Sequence, residues 1–483
     1  MAQDDERIGR RSFIGTTAAV AAGLAVGCGG GEASDAGAAS DGGGLDGGDP
    51  GTDGGADAGE GADAGQDAGA PGPIEPPEDT PEASTFGLGV ASGDVLPDSA
   101  IVWTRYDGGM PLAAIVWELD AGGDYVREHP RIAASPADGG FVHVEVTGLT
   151  AGARHVYAFF EVDGDTRIAR SPIGRFRAAL GAMSMSPLLI GAVSCTTNGR
   201  AKTTLERAGE RDDLDVFLLT GDTTYNDGAT SVAEYRDKWE ESLGSDGWLA
   251  VRRATSVLAT WDDHEVDNNF DPEADDTTNA RQTFFENLPL RRDATDPDRI
   301  WRRYRWGLTA EIFVLDTRGE RLPSTRGDTD VYISRAQMDW LKTSLTESPC
   351  VFKLIMNSVP ISDFPFPAEN DRWEGYPTAR DEILRHVDET PIDGVLWISG
   401  DFHFASIGRV SSSGVGSTQT EVLAGPGAQT GNPAAFLCRP PQFDWAAMTN
   451  NYTTLELDPM DRLIRVQWVE GDGSVAQSSE VRY

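Results

Sequence analysis

The chain has 483 residues, a formal net charge of −38 and an apolar content of 39%, which is enough length for two or three domains and a large core. Residues 29–85 contain fourteen acidic side chains and no Lys, Arg or aromatic residue, and the remaining chain still carries a net charge of −24. A surface of that sign argues against a general role in binding nucleic acid or anionic lipid headgroups, because both would be repelled.

The first 28 residues have the pattern of an export signal. Arg10 and Arg11 precede an uncharged, weakly apolar run from Ile14 to Val26, which is typical of a twin-arginine signal and too short to span a membrane. The stretch that ends at Cys28 is similar to a bacterial lipobox, although Ala25 stands where a larger aliphatic residue is usual. We therefore predict export by the twin-arginine machinery and lipidation of Cys28; ordinary cleavage near the same place is the alternative.

Residues 29–85 are predicted to form a disordered acidic linker. They consist largely of Gly, Ala, Asp and Ser, with Pro becoming frequent after residue 70. Such a segment cannot bury enough apolar surface to offset the entropy lost on ordering. Together with the signal, the linker predicts a periplasmic, cell-surface or secreted protein whose only membrane contact is the lipid anchor.

Residues 86–180 have an all-β pattern. Short β-favouring runs, separated by Gly, Asp and Pro turns, occur at 100–105, 113–119, 140–146 and 155–161. Their spacing predicts a small sandwich of the fibronectin type III kind. Its three histidines are interpreted as structural or surface residues: His129, His143 and His155.

From residue 186 to the C-terminus at 483, apolar strands alternate with helices. The predicted strands cover residues 188–194, 215–220, 255–261, 312–316, 352–356 and 394–399. The predicted helices cover residues 203–212 and 334–345. Continuous apolar strands of this kind are buried on both faces, so the pattern predicts a layered α/β domain with its ligand site beyond the carboxyl ends of the strands.

The cysteines are too few for a disulfide scaffold. Apart from Cys28, the chain has Cys195, Cys350 and Cys438. The sequence leaves two readings open for the last two: they form a disulfide, or they are separate buried thiols.

Potential metal ligands follow four of the predicted strands. They are Cys195, then Asp222 and Tyr225, then Asp263 beside His264, and finally Asp401 and His403. Because the carboxyl ends of neighbouring strands meet at one edge of a sheet, we expect these side chains to lie together. Four such sets predict a two-metal hydrolase, in which paired cations bind a phosphoryl group and activate a water.

The same motifs resemble a known family. The runs G-D-T-T-Y (221–225), W-D-D-H-E-V-D-N-N (261–269), L-D-T-R-G-E-R (315–321) and S-G-D-F-H-F (399–404) look like the alkaline phosphatase D (PhoD) branch of the calcineurin-like metallophosphoesterases. The run that begins F-G-L-G-V-A-S-G-D at residue 86 looks like that family's N-terminal domain. The resemblance implies an α/β fold class, with a layered metallophosphoesterase β-sandwich core flanked by helices and preceded by a small all-β, fibronectin type III-like domain.

The resemblance also implies the metals and their ligands. A ferric ion suits the thiolate of Cys195 and the phenolate of Tyr225, with Asp222 shared between the two metals. A hard cation such as Ca²⁺ suits the oxygen-rich remainder, Asp263 and Asp401 with His403. The chain has only six histidines, too few at motif positions for a histidine-rich zinc pair.

Further roles follow from the same resemblance. His264 is expected to stabilise or protonate the leaving oxygen while a water activated by the metals attacks, so no phosphoenzyme forms. Arg318, with Asp316, is expected to support the site or orient the phosphate, and Asn357 to be a further ligand or substrate contact. Residues 371–376 are expected to form a rim loop near the substrate.

Two functions of different classes remain open. The first is hydrolysis of phosphate monoesters or diesters by a monomeric enzyme that works at alkaline pH. The second is a surface protein that binds calcium without catalysis. Such a protein would keep Asp222 and Asp263 but could lose His264, Cys195 or Tyr225, and the chain retains all five.

Overall fold

Strands dominate the computed structural model, which describes residues 74–367 and 370–483. The predicted export signal, Cys28 and the linker up to residue 73 lie outside the described residues. Residues 74–85, predicted to belong to the disordered linker, are instead ordered, because Pro77–Asp79 form a short 3-10 helix whose first carbonyl oxygen accepts from Arg170 and because Glu82 forms a β-bridge with Arg170. In the described part, no helix has the length and apolar character needed to cross a bilayer.

The N-terminal region is built from nine strands among the described residues. They are β1 (Val90–Gly93), β2 (Ser99–Arg105), β3 (Leu112–Leu119), β4 (Tyr125–Glu128), β5 (Ile132–Ala134), β6 (Phe141–Thr147), β7 (Arg154–Asp163), β8 (Thr166–Arg170) and β9 (Gly174–Arg177). β3 pairs along its whole length with β7, and the two strands are the centre of a six-stranded sheet with β4, β5, β8 and β9. β1, β2 and β6 form the facing layer.

The C-terminal region contributes the other described strands and six α-helices. The strands are β10 (Leu188–Thr196), β11 (Val216–Thr220), β12 (Val257–Thr260), β13 (Arg302–Trp306), β14 (Ala310–Val314), β15 (Phe352–Met356), β16 (Val395–Ser399), β17 (Ala405–Arg409), β18 (Thr420–Leu423), β19 (Pro426–Ala428), β20 (Phe443–Ala447), β21 (Asn451–Asp458), β22 (Leu463–Glu470) and β23 (Val475–Arg482). The helices are α1 (Thr203–Gly209), α2 (Val232–Leu243), α3 (Asp246–Ala254), α4 (Thr278–Asn287), α5 (Arg335–Glu347) and α6 (Pro377–Glu389).

Two sheets stack face to face in this region. The first has the order β23-β22-β21-β10-β11-β12-β1-β2-β6, with β19 beside β10, and the second has the order β13-β14-β15-β16-β18-β17-β20. Alternate side chains of β11 serve both faces, because Leu218 packs between the sheets while Phe217 packs against the helical layer that contains Trp239 and Trp248. Helices α5 and α6 cover the second sheet in the same way. The predicted fold class, a β-sandwich core flanked by helices, is therefore observed.

The first sheet runs through both regions of the chain. β1 pairs in parallel with β12 at Gly93 and Val257, so the N-terminal layer of β1, β2 and β6 extends the sheet that carries β10 and β11. Gly93 is needed there, because a Cβ would lie 2.7 Å from the carbonyl oxygen of Pro289. The pairing anchors the N-terminal region beside β12, whose carboxyl end leads into the site described next.

Candidate metal centre

The carboxyl ends of four strands meet at one edge of the stacked sheets. Cys195 is the penultimate residue of β10, Asp222 follows β11, Asp263 follows β12 and Asp401 follows β16. The ligand atoms of Cys195, Asp222 and His403 lie within 4.8 Å of one another. The same holds for Asp222, Asp263 and His264, and for Asp262, Asp263 and Asp401.

The backbone is strained where it delivers these side chains. Cys195 and Asp222 both have φ of 54°, Asp401 has φ of 67° and His403 has φ of 55°, a region that non-glycine residues seldom occupy. Each such residue costs on the order of 1–3 kcal/mol, which persists only when the surroundings dictate it. Four such residues at one sheet edge indicate that the placement of their side chains outweighs the cost of the backbone strain.

One carboxylate organises three backbone amides behind the cluster. Glu265 accepts hydrogen bonds from the N–H groups of Asp222 (3.0 Å), Thr223 (2.6 Å) and Asp262 (2.8 Å). The close approach of the two loops also requires Gly221, which has φ of 96° and whose Cβ would lie 2.5 Å from that of Asp262. Glu265 therefore fixes the loop after β11 to the loop after β12.

Tyr225 closes one side of the cluster. Its hydroxyl donates to Oδ2 of Asp222 at 3.1 Å and accepts from the side-chain amide of Gln429 at 3.1 Å. Burial raises the pKa of Tyr225, and the neighbouring charges of Asp222 and Cys195 raise it further. Its backbone N–H is held by Asn198, so the phenol is placed by contacts on both sides of the loop.

Arg318 lies at the centre of the acidic residues and is fully buried. Its guanidinium donates to the carboxylates of Asp262, Asp371 (2.9 Å) and Asp401 (3.2 Å), and it lies 3.7 Å from Asp263. A delocalised fork of five donors suits such a multiple contact. Arg318 therefore neutralises part of the negative charge and sets the positions of the carboxylates.

Asp371 and Asn357 extend the site. Asp371 belongs to the 371–376 segment expected at the rim, and its contact with Arg318 brings that segment to the acidic cluster. Asn357 follows β15 and is fully buried. Its side-chain oxygen Oδ1 lies 3.4 Å from the indole nitrogen of Trp373, and its side-chain nitrogen Nδ2 has no hydrogen-bond partner among the described residues. Asp316, which was expected to support the site together with Arg318, accepts hydrogen bonds from the indole N–H of Trp261 and from the backbone N–H of Gly319.

His264 is held by a partner that sequence reasoning missed. Its Nδ1 lies 2.7 Å from Oδ1 of Asp227, and its ring packs on Tyr225 with centroids 4.0 Å apart. Burial alone would lower the pKa of His264, but the hydrogen bond to Asp227 and the carboxylates of Asp222 and Asp263 raise it to about 10. Asp227 stands two residues after Tyr225 in the same motif, and that proximity was the only available signal.

The cluster contains more negative charge than the protein neutralises. Burial and neighbouring carboxylates raise the pKa of Asp222 and of Asp401 well above the usual range, and burial with Asp222 does the same for the Cys195 thiol. Three buried carboxylate oxygens have no hydrogen-bond partner among the described residues: Oδ1 of Asp222, Oδ2 of Asp262 and Oδ1 of Asp263. Unpaired buried acceptors of this kind fit bound cations.

The other two cysteines lie away from this set. Cys350 and Cys438 are buried free thiols in the described structure, which decides against a disulfide between them. Cys350 contacts the carbonyl oxygen of Gly307, and Cys438 packs among the phenylalanines near Phe443.

Known proteins share both regions of the chain. A family model described as PhoD-like phosphatase matches residues 190–454, and one described as the N-terminal domain of PhoD-like phosphatases matches residues 72–180. The chain is 26% identical over 381 residues to alkaline phosphatase D of Bacillus subtilis (strain 168), an alignment that covers 66% of this chain and 64% of that protein.

Solved structures share the fold. A structure of PhoD superposes with a TM-score of 0.69 at 21% identity, covering 82% of this chain and 89% of the other. The purple acid phosphatase PPD1 from yellow lupin (Lupinus luteus) seeds superposes with a TM-score of 0.57 at 12% identity, covering 82% and 73%. These matches confirm the fold class predicted from the sequence.

Proposed function

This chain belongs to the PhoD-like phosphatase family, and from that membership and the site described above we propose that it is an exported, metal-dependent phosphoesterase that hydrolyses phosphate mono- or diesters. The two family models confirm the resemblance read from the motifs. The observation that carries the proposal is the convergence of Cys195, Asp222, Asp263 and His403 at one sheet edge. Export rests on the twin-arginine pattern at Arg10 and Arg11.

The donor set fits two cations of different character. We propose that Cys195, Tyr225 and Asp222 hold a ferric ion, and that Asp263, Asp401 and His403 hold calcium with Asp222 shared. The orphaned oxygens of Asp222 and Asp263 support this assignment. When bound, such metals supply Lewis-acid polarisation of the phosphoryl group and activation of a water.

The chain's own residues would orient and protonate the ester. Asp227 accepts from Nδ1 of His264, so the other ring nitrogen is the one available to the leaving oxygen. The hydrogen bond to Asp227 raises the pKa of His264, which favours the protonated form that a general acid requires. Packing on Tyr225 limits rotation of the ring.

Arg318 is proposed as a supporting residue rather than a phosphate ligand. All of its terminal nitrogens contact carboxylates of the site and none of its side chain is exposed. A phosphate would have to displace those contacts to reach it. Asn357, whose amide nitrogen is buried and unpaired among the described residues, is the better candidate for a contact with bound substrate or with a metal-held group.

The competing function is calcium binding without catalysis. It needs only the oxygen ligands around Asp263 and Asp401. The placement of His264 against Asp227 favours the enzyme, because a calcium-storage site gains nothing from an oriented imidazole. The preference for monoesters or diesters depends on the width of the pocket at its rim, and the segment that contains Asp371 contributes to that rim.

The test combines metal analysis with two substrates. Purified full-length protein is analysed for iron, calcium and zinc, and its hydrolysis of p-nitrophenyl phosphate and bis-p-nitrophenyl phosphate is measured. Cys195→Ala is compared with Cys350→Ala, a matched control in which another buried thiol is removed. Loss of iron and activity in the first variant alone would support the mixed-metal phosphoesterase. Activity with zinc alone, insensitive to Cys195, would refute the metal assignment, and calcium binding without hydrolysis would favour the competing function.

A further inference from the structure

A second cluster of potential metal ligands lies in the N-terminal region. The ligand atoms of Glu118, His129 and His155 lie within 4.8 Å of one another. These residues belong to β3, β7 and the segment after β4, so none of them is supplied by the strand ends that form the centre described above. Nothing in the proposed phosphoesterase mechanism uses them.

The strand pairing forces these side chains together. Glu118 and His155 are directly opposite each other in the antiparallel pair of β3 and β7, so their side chains project from the same face of the sheet. His129 follows β4 on the other side of β3, and its N–H donates to the carbonyl oxygen of Val116 at 2.8 Å. The two imidazole rings are 5.7 Å apart at their centroids.

The ring nitrogens of both buried histidines lack hydrogen-bond partners among the described residues. His129 is 3% exposed and His155 is 1% exposed, and none of their four ring nitrogens has a hydrogen-bond partner among the described residues. Burying polar nitrogens without partners is costly, and native proteins seldom do it repeatedly at one place. Two neighbouring imidazoles in this state have the property expected of ligands whose partner is an ion.

The third ligand is positioned as a metal-binding carboxylate would be. Oε2 of Glu118 accepts a hydrogen bond from the hydroxyl of Thr150 at 2.7 Å, the kind of outer contact that orients a ligating carboxylate. Its side chain is 16% exposed, so the cluster opens to solvent on that side. Arg127 approaches Glu118 only at 3.9 Å, which leaves the carboxylate largely unneutralised.

We propose that Glu118, His129 and His155 form a binding site for a divalent cation of the zinc class, separate from the catalytic metals. Two imidazoles and one carboxylate are a common protein set for Zn²⁺, with water in the remaining position. Calcium and magnesium are disfavoured, because they prefer sets made of oxygen ligands. A bound ion would connect β3, β7 and the end of β4, and would therefore stabilise the N-terminal sheet.

The test removes the nitrogens while preserving the packing. His155 stacks on Phe176 with centroids 5.1 Å apart, so His155→Phe keeps an aromatic ring in place. Glu118→Gln, at the solvent side, is the second variant and keeps an acceptor for Thr150. His143→Gln is the matched control, because His143 is an exposed histidine of the same region.

Full-length holoenzyme and each variant are dialysed against Zn²⁺, and bound zinc is counted by mass spectrometry alongside the Tm with and without zinc. The expected result is one zinc equivalent fewer and a lost zinc-dependent rise in Tm for His155→Phe and Glu118→Gln. His143→Gln and the phosphatase activity of all variants should match the parent protein. Equal zinc content and equal Tm response in all proteins would overturn the proposal. If His155→Phe fails to fold, Glu118→Gln decides the question by the same two measurements.

Discussion

Nδ1 of His264 lies 2.7 Å from Oδ1 of Asp227, a residue that also accepts the backbone N–H of Asn268. This contact defines which ring nitrogen of His264 faces the metal-ligand cluster. It links the loop after β11, which contains Asp227, to the loop after β12. The orientation of the proposed general acid is thus set by the same two loops that deliver Asp222 and Asp263.

Replacing Asp227 with Asn should lower kcat while leaving the metals in place. The Asn side chain preserves the size of Asp227 but weakens the charged hydrogen bond that orients His264. Contacts of this outer kind typically contribute about 10- to 100-fold to activity, and we expect a fall in kcat of that size with little change in KM. Metal analysis and steady-state kinetics measure the effect. An unchanged kcat, or a loss of metal that accounts for the drop, would contradict the positioning role.

Much of the fold follows from local pattern. β10, β11, β12 and β16 are short apolar runs buried on both faces, and the sequence predicted each within two residues of its observed bounds. Their polar carboxyl ends predicted the set of Cys195, Asp222, Asp263 and Asp401, which the structure brings together. A continuous apolar run followed by acidic or thiol side chains is enough to predict both the strand and the ligands at its carboxyl end.

Other features depend on contacts that no local pattern encodes. The single pairing of Gly93 with Val257 joins segments 164 residues apart, and nothing in the four-residue β1 specifies its neighbour. Arg318 reaches Asp371 across 53 residues, so its role among the carboxylates depends on tertiary structure. The convergence of His129 and His155 likewise appears only when β3, β4 and β7 are paired, so the sequence alone favours a structural role for both.

Replacing Arg318 should destabilise the protein strongly. Its buried guanidinium contacts Asp262, Asp371 and Asp401, and Arg318→Met would leave those carboxylates buried beside one another. Removing one partner of a buried ionic group typically costs about 3–5 kcal/mol, and we expect a loss of that size in the free energy of unfolding. Urea denaturation of metal-free protein measures it. Arg318→Lys, which keeps a charge but not the planar fork, should lose less; equal stability of all three proteins would rule out this balancing role.

Replacing Glu265 should affect stability and metal content together. Glu265→Ala leaves the N–H groups of Asp222, Thr223 and Asp262 buried without their acceptor. Each unsatisfied donor costs about 1–3 kcal/mol, so we expect a loss of at least about 3 kcal/mol with a reduced metal content. Glu265→Gln retains one carbonyl oxygen, so its stability and metal content should lie between those of Glu265→Ala and the parent protein. Denaturation and metal analysis of the same preparations test this, and full metal occupancy in Glu265→Ala would show that the loops hold without the carboxylate.

Lys202 should make stability depend on pH in the alkaline range where the family is expected to work. Its side chain is 1% exposed, and its Nζ donates to the carbonyl oxygen of Thr197 at 3.2 Å. Burial lowers the pKa of Lys202 to about 8, although the negative charge of Glu241 partly offsets this shift.

The folded protein therefore releases this proton near pH 8, whereas the unfolded chain keeps it until about pH 10.4. Between those values the unfolded state binds more protons, so stability contributed by Lys202 rises with pH. Compared with Lys202→Met, the parent protein should gain up to about 2 kcal/mol in the free energy of unfolding between pH 7 and pH 10. Groups that titrate in both proteins cancel in this comparison. A difference that stays constant across that range, or one that moves in favour of Lys202→Met, would mean that Lys202 remains charged in the folded protein.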